Sequence, residues 1–209
     1  MTLKNPRNFA ARVLLLAALL LQGCAEPRLS AVPPDGTLLA FGDSLTLGVG
    51  VATADSYPSV LSRLGERRVI NAGVSGETTD LGLARLQQTL QQESPDLLLL
   101  LEGGNDILRS KDPGKTKRNL AAMVEFAQAQ GTEVVLVGVP DKLLFSDAAP
   151  FYGELAEQYD LVFDGETLAD LLRSSEYKSD AVHLNAQGYR LLAVALHDLL
   201  TEHGAFRLD

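Results

Sequence analysis

Ser44 stands in Phe41-Gly42-Asp43-Ser44-Leu45-Thr46, directly after the apolar run Thr37-Leu38-Leu39-Ala40-Phe41. A short apolar run of this kind, bounded by Pro and Gly, reads as a buried strand. The serine then lies in the turn at the strand's carboxyl end, where open α/β sheets place their ligand sites. A serine there becomes a nucleophile only if a base reaches it. The chain has three histidines, His183, His197 and His203, and only His183 has a carboxylate in a suggestive register, in Asp180-Ala181-Val182-His183. An aspartate three residues ahead, on one turn, can bond the ring Nδ1 and leave Nε2 free to take a proton from a serine. Taken alone, Asp-x-x-His is equally the pattern of an aspartate capping the last helix beside an ordinary loop histidine. His197 falls among Leu191, Leu192, Leu196 and Leu199 and reads as a helix-surface residue, and His203 as part of a chain end.

Gly42-Asp43-Ser44-Leu45, Gly104-Asn105-Asp106 and Asp180-x-x-His183, taken together and in this order, resemble the SGNH (GDSL) hydrolase family. The likeness is greatest to its bacterial arylesterase, thioesterase I and lysophospholipase L1 branch, and it runs from about Thr37 to about Leu200. The resemblance implies a three-layer αβα sandwich of flavodoxin-like strand order. It implies Ser44 as nucleophile, His183 as general base and acid, and Asp180 as the carboxylate that orients it. It also implies an oxyanion hole built from the Ser44 N–H, the Gly76 N–H and the Asn105 side-chain amide. The glycine is Gly76, not Gly73, because Val74-Ser75-Gly76-Glu77-Thr78 matches the family's second block. Asp43 is expected to be structural, holding backbone amides at the sheet end. The implied substrates are small aryl esters, acyl thioesters and lysophospholipids. A carbohydrate deacetylase, a transacylase with the same triad and a non-catalytic binding module are the alternatives.

The elements that must position these residues alternate between strand and helix. After the Ser44 turn, a helix capped by Asp55 or Ser56 runs to Leu64, and Arg67 to Asn71 is a second strand. Leu81, Leu83, Ala84, Leu86 and Leu90 give the next helix an apolar stripe, which Ser94-Pro95 ends. Asp96 to Leu101 is nearly pure Leu, as a strand buried on both faces should be, and it leads into Asn105. A helix from about Thr116 to Gln130, a strand from Glu133 to Val139, a helix from Tyr152 to Tyr159, a strand from Leu161 to Phe163 and a helix from Glu166 to Arg173 follow. The Asp180–His183 turn precedes a last helix, Ala186 to about Glu202. Five strands alternating with helices predict a five-stranded parallel sheet covered on both faces. The acyl pocket is expected between the loop after Asn105 and the connection Pro140 to Pro150, whose Leu143, Leu144 and Phe145 could form a flap.

Composition narrows the function class. At 209 residues, 46% hydrophobic and 22% charged, the chain fits one globular domain. A net charge of −9 argues against a nucleic-acid partner, because phosphate binding needs a basic face. No Cys/His cluster suggests zinc. Gly42 to Gly50 lacks the G-K-[ST] ending of a P-loop. Gly73-Val74-Ser75-Gly76-Glu77 has Glu where the nucleophile elbow requires Gly. The reading is of a hydrolase without metal or cofactor and with no obligate protein partner. Residues 1–23 carry Lys4, Arg7 and Arg12 ahead of the nine-residue apolar run Val13 to Leu21. That run is too short to span a bilayer, which takes roughly 20 residues, and a basic start before it is the pattern of a signal peptide. Leu21-Gln22-Gly23-Cys24 resembles a bacterial lipobox, which implies lipidation of Cys24 and a membrane-anchored, periplasm-facing protein. Residues 24–36, with Pro27, Pro33 and Pro34, read as an extended tether, and residues 37–209 as the hydrolase domain.

Overall fold

The computed structural model describes residues 28–141 and 147–207. In chain order the elements are β1 (Thr37–Gly42), α1 (Ser44–Leu47), α2 (Tyr57–Gly65), β2 (Arg68–Gly73), α3 (Thr79–Glu93), β3 (Leu97–Leu101), α4 (Gly104–Leu108), α5 (Pro113–Ala129), β4 (Glu133–Val137), α6 (Pro150–Gln158), β5 (Val162–Asp164), α7 (Thr167–Arg173) and α8 (Ala186–Glu202). The five strands pair in parallel in the order β2-β1-β3-β4-β5. Helices α2, α7 and α8 form one layer, and α3, α5 and α6 the other. This is the αβα sandwich and the flavodoxin-like order that the sequence implied.

The strand sequences explain the order. Leu38, Leu39, Ala40 and Phe41 of β1 and all five leucines of β3 are wholly buried. A leucine transferred fully from water contributes about 1.5–3 kcal/mol, so these two strands take the centre, shielded by helices on both faces. β2 starts at Arg68 and is only half buried, and β5 is three residues long, so both lie at edges. The chain moves from β1 outward to β2, then returns to place β3 on β1's other side. That reversal opens a crevice at the carboxyl ends of β1 and β3, the ends from which Ser44 and Asn105 emerge. The strand ends pinch together there: a Cβ on Gly42 would lie 1.9 Å from the Leu101 carbonyl oxygen.

Several expected boundaries shift for local reasons. The turns after β1 and β3 are short helices, α1 and α4, and they carry Ser44 and Asn105. α5 begins at Pro113, ahead of Thr116, because the Asp112 side chain accepts the Gly114 N–H and Pro113 fits the first turn. α3 buries Thr79, Gly82, Leu86 and Leu90; Leu81 is a residue off that stripe and is 59% exposed. The tether expected to reach Gly36 is already docked from Arg28 onward. Leu29 and Val32 are buried, and their N–H groups donate to the carbonyls of His203 and Ala205. Arg28 pairs with Asp160 at 2.6 Å and Ser30 with Glu133. Two apolar residues three apart drive this docking, at the end of the sheet away from Ser44. The expected leader, Cys24, and Leu143, Leu144 and Phe145 lie outside the described residues. Among the described residues no helix is long and apolar enough to cross a membrane.

Substitution of Leu99, at the centre of β3, by Ala is expected to lower unfolding free energy by about 2–5 kcal/mol. Leu81→Ala on the exposed side of α3 is expected to change it by less than about 0.5 kcal/mol. Urea titration of the two variants beside the wild-type chain measures both.

Candidate active site

α8 sets the position of the histidine loop. Its cap is Asn185, whose Oδ1 accepts the Gly188 N–H at 3.0 Å. The Asn185 amide also donates to the Glu176 carbonyl at 2.7 Å, and Leu184 is wholly buried. Asn185 therefore does the capping, which leaves Asp180 for another task. Oδ1 of Asp180 accepts the N–H groups of Val182 and His183, at 2.8 and 2.9 Å. Its Oδ2 lies 2.7 Å from His183 Nδ1. Nε2 of the same ring lies 3.0 Å from Ser44 Oγ. The Val182 amide, then the His183 contact, hold the Asp180 carboxyl below its ordinary range although it is largely exposed. An ionised Asp180 accepts the Nδ1 proton, and Nε2 is then the atom that takes a proton from Ser44. His197 packs 5.5 Å from the Phe206 ring on α8, away from this site, and His203 lies beyond that helix.

Ser44 is the first residue of α1, so its N–H has no partner within the helix. Asp43 is the cap, and its Oδ1 accepts the Leu45 N–H at 2.9 Å. The other oxygen, Oδ2, accepts from Asn105 Nδ2 at 3.2 Å. Burial lifts the Asp43 carboxyl to about 6, against the opposing pull of the Leu45 amide, His183 and Asn105. The structural role expected for Asp43 is the one it has, with the Asn105 side chain added to the backbone amide. Gly76 sits in the turn Val74-Ser75-Gly76-Glu77, closed by the Glu77 N–H on the Val74 carbonyl at 3.1 Å. Its φ of 78° is that of the third residue of a type II turn, where glycine is favoured. Ser44, Gly76 and Asn105 all line one cleft with His183.

Several supporting residues were not legible in the sequence. The buried Glu77 takes a bidentate ion pair from Arg85 of α3, with Nη2 to Oε2 at 2.5 Å and Nε to Oε1 at 2.9 Å. Arg85 also donates to the Ala72 carbonyl and stacks 3.9 Å over the Phe41 ring, a cation–π contact. Asp106 accepts the Thr79 N–H and hydroxyl at 2.8 and 2.9 Å and so fixes α4 to the start of α3. Glu102, at the end of β3, is wholly buried, and its Oε2 has no hydrogen-bond partner among the described residues. Burial, then the charges of Asp43 and Glu77, push its carboxyl up to about 10. None of these pairings has a short-range signature, because the partners are distant in the chain.

The cleft over Ser44 has a volume of about 300 Å³. Ile107, Leu108, Val139 and Pro140 line it, as expected of the loop after Asn105 and the start of the Pro140–Pro150 connection. α7, which sequence reasoning left out of the site, adds Ala169, Leu172 and Arg173, and Lys178 stands beside them. A second apolar hollow adjoins the cleft across Ile107 and Asp141 and extends to Phe151.

The chain belongs to the GDSL-like Lipase/Acylhydrolase family, whose model matches residues 40–191. It is 40% identical to Esterase TesA of Pseudomonas aeruginosa over 130 residues, 59% of this chain and 65% of that protein. It is 29% identical to Thioesterase 1/protease 1/lysophospholipase L1 of Escherichia coli over 165 residues, 75% of this chain and 79% of that protein. The match therefore spans slightly less than two thirds of the first relative's length. The crystal structure of TesA superposes with a TM-score of 0.72 at 29% identity, over 80% of this chain and 99% of that one.

Glu102 makes stability fall with pH. Its raised carboxyl keeps a proton in the folded state that the unfolded chain releases above its ordinary value of 4.5. Stability from this group is complete below that value and declines as pH rises toward about 10. Glu102→Gln cannot titrate. The wild-type urea midpoint is therefore expected to drop more between pH 5 and pH 8 than that of the variant, and paired denaturation curves at the two pH values check this.

Proposed function

We propose that the protein is a serine esterase that hydrolyses carboxylic esters and thioesters through an acyl-enzyme on Ser44. The observation that carries this reading is the continuous path from Asp180 Oδ2 to His183 Nδ1, 2.7 Å, and from His183 Nε2 to Ser44 Oγ, 3.0 Å. In the first step the Ser44 hydroxyl proton passes to Nε2 as Oγ bonds to the carbonyl carbon. The carbonyl π electrons move onto oxygen, toward the Ser44 and Gly76 N–H groups and the Asn105 amide. The tetrahedral species collapses, the bond to the alcohol or thiol breaks, and the leaving group takes the proton from His183. Water then repeats the sequence on the acyl-enzyme, releases the acid and restores the Ser44 hydroxyl.

The substrate reading rests on the walls of the cleft. Its apolar lining suits an acyl chain or aryl group, and the hollow beyond Ile107 gives a chain room to extend. The names of the Escherichia coli and Pseudomonas aeruginosa relatives support esters, thioesters and lysophospholipids as substrates. We further propose that residues 1–23 are a signal peptide and that lipidation of Cys24 anchors the protein in the cell envelope, facing the periplasm. The basic start, the short apolar run and Leu21-Gln22-Gly23-Cys24 support this.

Hydrolysis of p-nitrophenyl esters from acetyl to palmitoyl tests the activity. Ser44→Ala and His183→Ala are each expected to cut kcat by roughly 10⁴-fold or more, and wild-type rates in either variant would overturn the mechanism. Asn105→Ala is expected to cost about 10²–10³ in kcat. If all p-nitrophenyl esters are inert but acetylated sugars are cleaved, the deacetylase reading replaces this one. Labelled palmitate is expected on the full chain and to be lost in Cys24→Ser.

A further inference from the structure

The oxyanion reading places one donor, the Gly76 N–H, in the central peptide of a β-turn. The carbonyl of that peptide is Ser75's, whereas the Gly76 carbonyl begins the next one, so a bond to the Gly76 carbonyl fixes where the residue itself stands. The position of the Gly76 N–H therefore depends on what holds Gly76 in place. On the inner side the chain is well fixed: the Val74 N–H donates to the Gly42 carbonyl at 2.9 Å, and Glu77 is locked by Arg85. On the outer side Val74 and Ser75 are exposed, and no layer of the sandwich covers them. Arg109 reaches this side. It follows α4, and its Nη2 donates to the Gly76 carbonyl at 3.0 Å. Its own N–H donates to the Asn105 carbonyl at 3.1 Å. One residue thus links, through 3 Å contacts, the backbones of both residues that carry donors outside the nucleophile's own helix.

We propose that Arg109 is a positioning residue for acyl transfer: it ties the Gly76 carbonyl to the helix bearing Asn105 and so holds the two outlying oxyanion donors at a fixed separation. The inference rests on the acyl-enzyme reading above. Arg109 lies outside the Ser44–His183–Asp180 path, and its two hydrogen bonds run to the backbone carbonyls of Gly76 and Asn105. Its effect falls on the transition state, where negative charge develops on the carbonyl oxygen, and not on ground-state binding.

Arg109→Gln and Arg109→Lys, assayed with p-nitrophenyl butyrate beside Ser44→Ala, test this. Arg109→Gln is expected to lower kcat by roughly tenfold to a hundredfold, less than outright loss of a donor, with KM within about twofold. Affinity for an alkylboronic acid, which adds to the serine and sets an oxygen in the hole, is expected to fall by a similar factor. Arg109→Lys, which keeps a charged donor, is expected to recover part of the rate. Melting temperatures of both variants show whether the fold is intact. A rise in KM with unchanged kcat would overturn the proposal and make Arg109 a substrate contact. Unchanged kcat and boronate affinity in Arg109→Gln would overturn it as well. If Ser44→Ala itself retains activity, the acyl-enzyme reading is the one that fails.

Discussion

The active-site end of the sheet depends on one buried carboxylate shared between two elements. Asp43 gives one oxygen to the Leu45 N–H and the other to the Asn105 amide. The first bond caps α1 and so sets where Ser44 points. The second turns the Asn105 side chain toward the same cleft. Because Asp43 leaves β1 and Asn105 leaves β3, this carboxylate spans the topological switch point itself. Removing a charge from water is costly, and Asp43 retains its place through two donors, the Leu45 backbone amide and the Asn105 side-chain amide, with His183 nearby.

Around that centre, charge holds what packing cannot. The Gly76 turn is exposed at Val74 and Ser75. Two guanidinium groups meet it from different helices, Arg85 through Glu77 and Arg109 through the Gly76 carbonyl. Arg85 lies over Phe41 as well, which couples the turn to the strand that presents Ser44. Asp106 ties α4 to α3 from below. The loops that carry chemistry are thus anchored by long-range polar contacts to elements whose own positions come from leucine burial. Glu102 is the exception, a buried carboxyl whose burial opposes folding at neutral pH.

The opposite end of the sheet has a different role. Residues from Arg28 to Gly36 lie there, with Leu29 and Val32 in the core, so the chain enters the domain far from the cleft.

Much of this was legible in the chain itself. A five-leucine β3 between polar breaks can be buried only at the centre of a covered sheet. Ser44 after a strand, Asp180 three residues before His183, and Asn105 after the leucine run define a candidate site because each pattern is local. The identity of α8's cap was not local knowledge: Asp180 and Asn185 both suit that task, and only the folded loop gives it to Asn185. The short helices α1 and α4 escaped sequence reading because a single turn has no periodicity to detect. The stretch from Arg28 to Gly36, which its prolines suggested as extended, packs on the domain because Leu29 and Val32 find a core that the segment alone does not contain. Sequence by itself determined which residue types could carry out acyl transfer and in which elements they lie. Only the tertiary structure decided that Asp43 joins Ser44 to Asn105 and that Arg85 and Arg109 grip the Gly76 turn. Those contacts form between residues 8 to 62 positions apart, and their spacing carries no signal until the sheet has brought the strand ends together.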